Sequence, residues 1–322
     1  METFEILTKK RQKKSVKRTI LISTVVTILG IGLVLTGFML LELMAQNNYS
    51  RLQDYYFQRV TVAFPNIHLG SHSMRMKNFG GEYKEYLVKD ILGVKVPYDE
   101  LEATYSTSGF NQDHSLEYVR PASLIQDATE MAYSPKKHLK SPLFFNPQAE
   151  YGPEDIIRKP AQELSYVSQM KNQLVEVAIT FKQRYTFEEI QTMIPKNLKV
   201  NWLWIGSETK LNSSKLPLGN LFGWKPRKTY LEQSFNEFQD ILNKVYEERE
   251  KEKISSEEEL LNQDLASFLD EAKEGMSNAR FGGVIVTGRA EDFAQLEEMD
   301  WIYATSIGIS IPNQPYYTLG KE

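Results

Sequence analysis

The sequence predicts an α+β protein: a single N-terminal transmembrane helix followed by two extracytoplasmic domains. Three observations predict it. Residues Thr19 to Leu41 form a 23-residue run without a charge, enough for the ~20 residues that cross a bilayer's hydrocarbon core as a helix. Short runs of period-two alternation, separated by glycines, follow from Ile67 to Tyr105. From Leu174 onward, alternating strands and helix-period segments take turns.

The first 18 residues precede the span and carry Lys9, Lys10, Arg11, Lys13, Lys14, Lys17 and Arg18 against Glu2 and Glu5. Basic residues resist translocation, so this tail is expected on the cytosolic side, with the bulk of the chain outside. The seven cations are the candidate contacts to inner-leaflet lipid or to a cytosolic partner. A cleaved signal peptide would have a shorter apolar region ending at a small-x-small site. Here the run ends in Glu42-Leu43-Met44-Ala45, so an uncleaved anchor is expected at residues 19–41. Gly30, Gly32 and Gly37 make no GxxxG pair.

Asn47 to Val62 places Leu52, Tyr55, Tyr56, Arg59 and Val60 at helical spacing, a helix continuing out of the membrane until Pro65. A strand-rich domain is expected over 46–133. Residues 134–160 contain Pro135, Pro142, Pro147, Pro153 and Pro160; prolines lack the ladder donor and break helices, so this stretch is the expected linker. The second domain, 161–312, starts with Leu174–Phe181, whose Val175, Val177, Ile179 and Phe181 alternate with Glu176, Ala178 and Thr180. Thr186 with Glu189, and Ser255 with Glu258, have the spacing of capping boxes. A strand at Leu198–Ile205, amphipathic helices around Leu231–Val245 and Leu261–Ala272, a strand at Phe281–Thr287, a helix at Ala290–Glu298 and a strand at Trp301–Ile311 complete it. This order, β-α-β, two helices, β-α-β, suits a ferredoxin-like split layer. Residues 313–322 are left as a tail.

Net charge is −4 over 322 residues, and the basic tail leaves the remainder more acidic still, which argues against direct nucleic-acid binding. There is no cysteine, which excludes disulfides and thiolate chemistry. No GxSxG, P-loop or strand-linked GxGxxG is present. His68 and His72 flank Gly70 in a strand-like segment, where they would lie roughly 13 Å apart, so no metal site and no cofactor is expected. Trp202 and Trp204 share one strand face, and with Trp224 they are the candidate outer contact surface. An enzyme is not expected.

The chain resembles the sigma factor regulator proteins of Gram-positive bacteria, the family that includes membrane-bound anti-sigma factors. The resemblance rests on Phe4-Glu-Ile-Leu-Thr-Lys-Lys-Arg, the anchor, Val62-Ala-Phe-Pro-Asn66, Val175–Phe181 with Thr186, Val200-Asn-Trp-Leu-Trp204, Glu208-Thr209, Pro217-Leu218-Gly219 and Gly283–Gly288. It implies a single-pass regulator partnered with an extracytoplasmic-function sigma factor or a small membrane partner, and outer domains that respond to an envelope component. Eighteen residues cannot form the several helices of a sigma-masking domain, so most of that domain is expected to be lacking. A non-signalling envelope-assembly or adhesion module is the alternative.

Overall fold

The computed structural model describes residues 2–114, 120–121, 131–134, 136–153, 155, 157–251 and 255–320. The end of the expected strand-rich domain (115–119 and 122–130), Pro135 and the last two residues lie outside the described residues. The protein is α+β: one long helix and, after it, β-sheets with further helices.

Helix α1 runs without interruption from Glu2 to Val62. The tail, the apolar run and the juxtamembrane segment are therefore one element, because no proline enters it before Pro65. Its end is sharp. Phe64 and Asn66 take positive φ on either side of Pro65, a left-handed stop of the kind that terminates many helices.

By its internal contacts the chain divides into two compact units. The first contains residues 1–52, 74–82 and 103–111. The apolar run of α1 is exposed there, and it is long and apolar enough to cross a membrane. Beyond it, Ala45, Asn48 and Leu52 form a buried stripe at three- and four-residue spacing. The two short segments are strand tips. One joins β1 (Ile67–Lys77) to β2 (Gly80–Ile91); the other joins β3 (Val94–Ser106) to β4 (Gly109–Asn111). These strands form a sheet in the order β1-β2-β3-β4. Asn48 Nδ2 donates to the carbonyls of Ser106 (2.9 Å) and Thr107 (3.2 Å). Tyr49 packs on Tyr105, and Phe38 stacks on Phe79 with centroids 5.3 Å apart.

The second unit contains residues 53–73, 83–102 and 112–322. Strands β2 and β3 turn through Leu92-Gly93, both at positive φ, the geometry that matches strand twist in a two-residue hairpin. Three two-residue strands, β5 (Arg120–Pro121), β6 (Ala132–Tyr133) and β7 (Lys140–Ser141), form a small sheet. After a one-turn helix α2 (Leu164–Val167) comes the main sheet. Its strands are β8 (Gln173–Thr186), β9 (Lys199–Trp204), β10 (Gly223–Trp224), β11 (Arg280–Arg289) and β12 (Ile302–Pro312).

Their order is β10-β9-β11-β8-β12, with every neighbouring pair antiparallel. Without the edge strand β10, this is the order of a split β-α-β layer. Helix α3 (Phe187–Met193) links β8 to β9. The hairpin of α4 (Leu231–Arg249) and α5 (Ser256–Ala272) is inserted before β11. The expected helix after β11 is a 3-10 helix, Ala290–Leu296. Both capping boxes form: the Thr186 and Ser255 hydroxyls accept from the backbone N–H of Glu189 and Glu258, whose carboxylates accept in return.

The helices cover one face of the sheet through an aromatic cluster. Trp224 contacts Phe187, Phe235 and Phe281, and Phe238 and Phe268 extend the chain, at centroid distances of 5.0–6.1 Å. The opposite face is covered by a segment expected to be linker. Leu143, Phe144 and Phe145 are buried. Phe144 lies on Trp202 and Trp204, and Phe145 N donates to Thr180 Oγ1. Proline density therefore does not make 134–160 a spacer. Prolines remove ladder donors, but the aromatic residues between them still gain by leaving water. Asn146 ties the segment down by donating to Ser207 Oγ and to the carbonyls of Thr209 and Leu211.

Candidate functional site

The feature least explained by ordinary core packing is a polar seam inside the second unit. It begins at Glu176 on β8, on the sheet face opposite the helices. Lys89 from β2 places its Nζ 3.0 and 2.8 Å from the two carboxylate oxygens. The side chains are 1 % and 0 % exposed. Two charges this deep persist only when paired and hydrogen-bonded, and the remaining capacity of the carboxylate is used. Asn66 Nδ2 donates to Glu176 Oε1 at 2.8 Å, and Ile309 N donates to Oε2 at 3.1 Å. The Lys89 ammonium also sits 4.9 Å from the centre of the Tyr98 ring. Burial pushes the Lys89 ammonium below its usual range, with Glu176 opposing the shift.

The network continues across the sheet. Asn201 on β9 donates to the Asp90 carbonyl (2.8 Å) and to Asn66 Oδ1 (3.2 Å). Thr287 Oγ1 donates to Asn201 Oδ1 and accepts from Leu92 N. Asp90 pairs with Lys95 (2.7 Å) and Lys199 (3.4 Å) and accepts from Gly93 N. Its carboxyl lies below the ordinary range, although burial, the largest influence, works the other way; Lys95, Gly93 and Lys199 outweigh it. The seam thus joins the segment just after α1 and the β2–β3 turn to four strands of the main sheet, β8, β9, β11 and, through Ile309 N, β12.

The end of α1 is held beside it. Lys225, following β10, donates its Nζ to the carbonyls of Val60, in the last turn of α1, and Ile67 (2.6 Å). Phe64 N donates to the Leu218 carbonyl. A cleft of about 200 Å³ opens here, lined in part by Phe57, Thr61, His68, Trp224, Lys225 and Glu237. Desolvation, then the nearby Arg227 and Lys95 charges, lower the Lys225 amine to about 7. Desolvation, then the Lys225 charge, lower His68 to about 3.

Lys9, Lys10, Arg11, Lys13, Lys14, Lys17 and Arg18 are all exposed along the first turns of α1. The three tryptophans are not at a surface. Trp202, Trp204 and Trp224 are 0 %, 2 % and 1 % exposed, so the expected outer contact surface is instead core. Trp202 and Trp204 do share a face, but Phe144 covers it; Trp224 packs among the helices. His68 is next to Asn66 and His72 next to Tyr83, and no group of metal-ligating side chains is found among the described residues.

Sequence reading missed Lys89, Glu176, Asn201 and Lys225. Glu176 occupied a position read as the polar side of a half-buried strand, and its partner is 87 residues away. The only local signal was the set of polar residues inside the segments that carried the resemblance: Asn66, Glu176, Asn201 and Thr287.

Two family models match the chain. The sigma factor regulator N-terminal model covers residues 5–96, and the sigma factor regulator C-terminal model covers residues 167–309. Asn66, Lys89 and Asp90 fall in the first interval and Glu176, Asn201 and Thr287 in the second, so the seam is where the two matched regions meet. No curated protein and no solved structure matches the chain. The long apolar helix and this domain pair define a membrane-anchored regulatory protein. The chain belongs to the sigma factor regulator family. That family implies a sigma factor partner in general terms.

Proposed function

We propose that this protein is a single-pass, anti-sigma-like regulator in which the region beyond the membrane governs the basic N-terminal end through helix α1. The observation that carries this reading is the grip on the end of α1. The Lys225 ammonium and the Leu218 carbonyl, both from the C-terminal matched region, bond the last turn of α1 and the residues after it. A rearrangement of that region therefore acts on an element that continues without a break to Lys9–Arg18. The excess of cations at that end supports a cytosolic N-terminus, which leaves the bulk of the chain to sense or bind an envelope component. Lys9, Lys10, Arg11, Lys13, Lys14, Lys17 and Arg18 then meet inner-leaflet lipid, or an extracytoplasmic-function sigma factor or small membrane partner.

Cross-linked affinity purification of the full chain from its native membrane tests this. Capture of a sigma factor, or of a small partner that itself holds one, is the expected result, and capture weakens when the seven cations are reversed in charge. Recovery of envelope proteins alone, unchanged by that reversal, would overturn the regulatory reading in favour of an assembly or adhesion module.

A further inference from the structure

We propose that the β1–β2 hairpin tip is a second membrane contact, seating Phe79 in the lipid leaflet that faces the C-terminal end of the span. The inference rests on reading Thr19–Leu41 as the membrane span, because that reading sets the depth. The run is centred on Gly30, and Phe38 is eight residues further on, about 12 Å along the helix axis. A hydrocarbon core of ~30 Å extends ~15 Å from its midplane, so Phe38 lies inside its edge. The Phe79 ring stacks on Phe38 with centroids 5.3 Å apart and planes inclined by 21°. A ring held in that stack is at the same depth as its partner, and the tip follows it into the lipid.

The rest of the tip suits such a place. Met76 is 74 % exposed and Met74 is also exposed. Both stand on the last residues of β1, just before the Asn78-Phe79 turn; exposed apolar side chains gain nothing in water but are stabilised on entering lipid. The charges of residues 74–82 are Arg75, Lys77 and Glu82, and Glu82 is paired with both cations. The neighbouring tip, 103–111, carries no charge. No unpaired carboxylate therefore faces the lipid. The long Arg75 and Lys77 side chains can extend back to the headgroups, where anionic lipid favours them.

The chain has no cysteine, so a single introduced thiol is unique. The experiment is nitroxide labelling of Phe79→Cys, and separately of Met76→Cys, in the full chain reconstituted into phosphatidylcholine–phosphatidylglycerol vesicles. Accessibility to oxygen and to a water-soluble nickel chelate is read by paramagnetic resonance. Gly30→Cys marks the span, and Lys171→Cys, at an exposed position of the other unit, marks water. The expected result is an oxygen-to-nickel ratio several-fold above that of the Lys171→Cys label at both tip positions, approaching the Gly30→Cys value. Met76→Cys keeps the test valid if loss of the Phe79 ring loosens the stack. Water-like ratios at both tip positions with a lipid-like ratio at position 30 would overturn the tip contact alone. Water-like ratios at all three would overturn it together with the span on which it rests.

Discussion

Lys89 Nζ lies 2.8 Å from Glu176 Oε2, with both side chains removed from water, and this pair joins the two matched regions of the chain. The structure around it leads to predictions that differ from those of a surface ion pair.

Removing one member leaves the other charge buried and unpaired. Glu176→Leu or Lys89→Met alone should lower unfolding stability by about 3–5 kcal/mol. The double replacement Lys89→Met with Glu176→Leu should recover most of that loss, because apolar groups of similar volume do not carry the desolvation cost. Denaturant unfolding of the three variants checks this. Additive single and double effects would mean that the pair is not coupled.

Gly308 is required by close approach. A Cβ there would come within 2.1 Å of Glu176 Oε2. The carboxylate cannot yield easily, since Lys89, Asn66 and Ile309 hold it. Gly308→Ala should therefore destabilise by about 1–3 kcal/mol, the cost of overpacking, and should cost much less in the Lys89→Met, Glu176→Leu background. Thermal melts of the two backgrounds give the comparison.

Acid should weaken this fold before most carboxylates titrate. His68 is depressed to about 3 from 6.5. The unfolded chain binds the proton first, so its contribution is complete above pH 6.5 and is lost as pH falls toward 3. Lys225 is depressed to about 7 from 10.5. The unfolded chain keeps that proton over this interval, so stability rises as pH goes from 7 to 10.5. Lys225, Lys95, Asp90 and Lys199 are the charges acting on His68, and Arg227 and Lys95 those acting on Lys225. Melting temperature measured against pH should show both limbs. Lys225→Met should flatten the alkaline limb, and His68→Gln the acidic one.

Trp224 should behave as a core residue. Truncation to Ala removes contacts with Phe187, Phe235 and Phe281, and substitutions of this kind cost about 3–5 kcal/mol. A large drop in melting temperature is expected. An unchanged melting temperature with altered partner capture would restore the surface role.

Much of the fold was legible because it depends on local pattern. The uncharged run shows as the exposed apolar stretch of α1. The alternation from Val175 to Phe181 shows as β8. Thr186/Glu189 and Ser255/Glu258 close their capping boxes, since each bond spans only three residues. The polar seam was not legible for the opposite reason. Glu176 alternates with valines in the same way whether it faces water or a lysine 87 residues earlier in the chain. Alternation reports that one strand face differs from the other, not what covers it.

Composition and period thus settled the long apolar run, the α+β class and the main strands and helices from Leu174 onward, while short motifs carried the family resemblance. These depend on interactions within a turn, a strand or a helix, which adjacent residues encode. Only the tertiary structure decided that Phe144 covers Trp202 and Trp204, that the proline-rich stretch packs as core, and that Lys89 and Asn66 reach Glu176. Each depends on segments distant in the chain competing to exclude water from the same face. The winner is set by how whole elements pack, which is not written in any one of them.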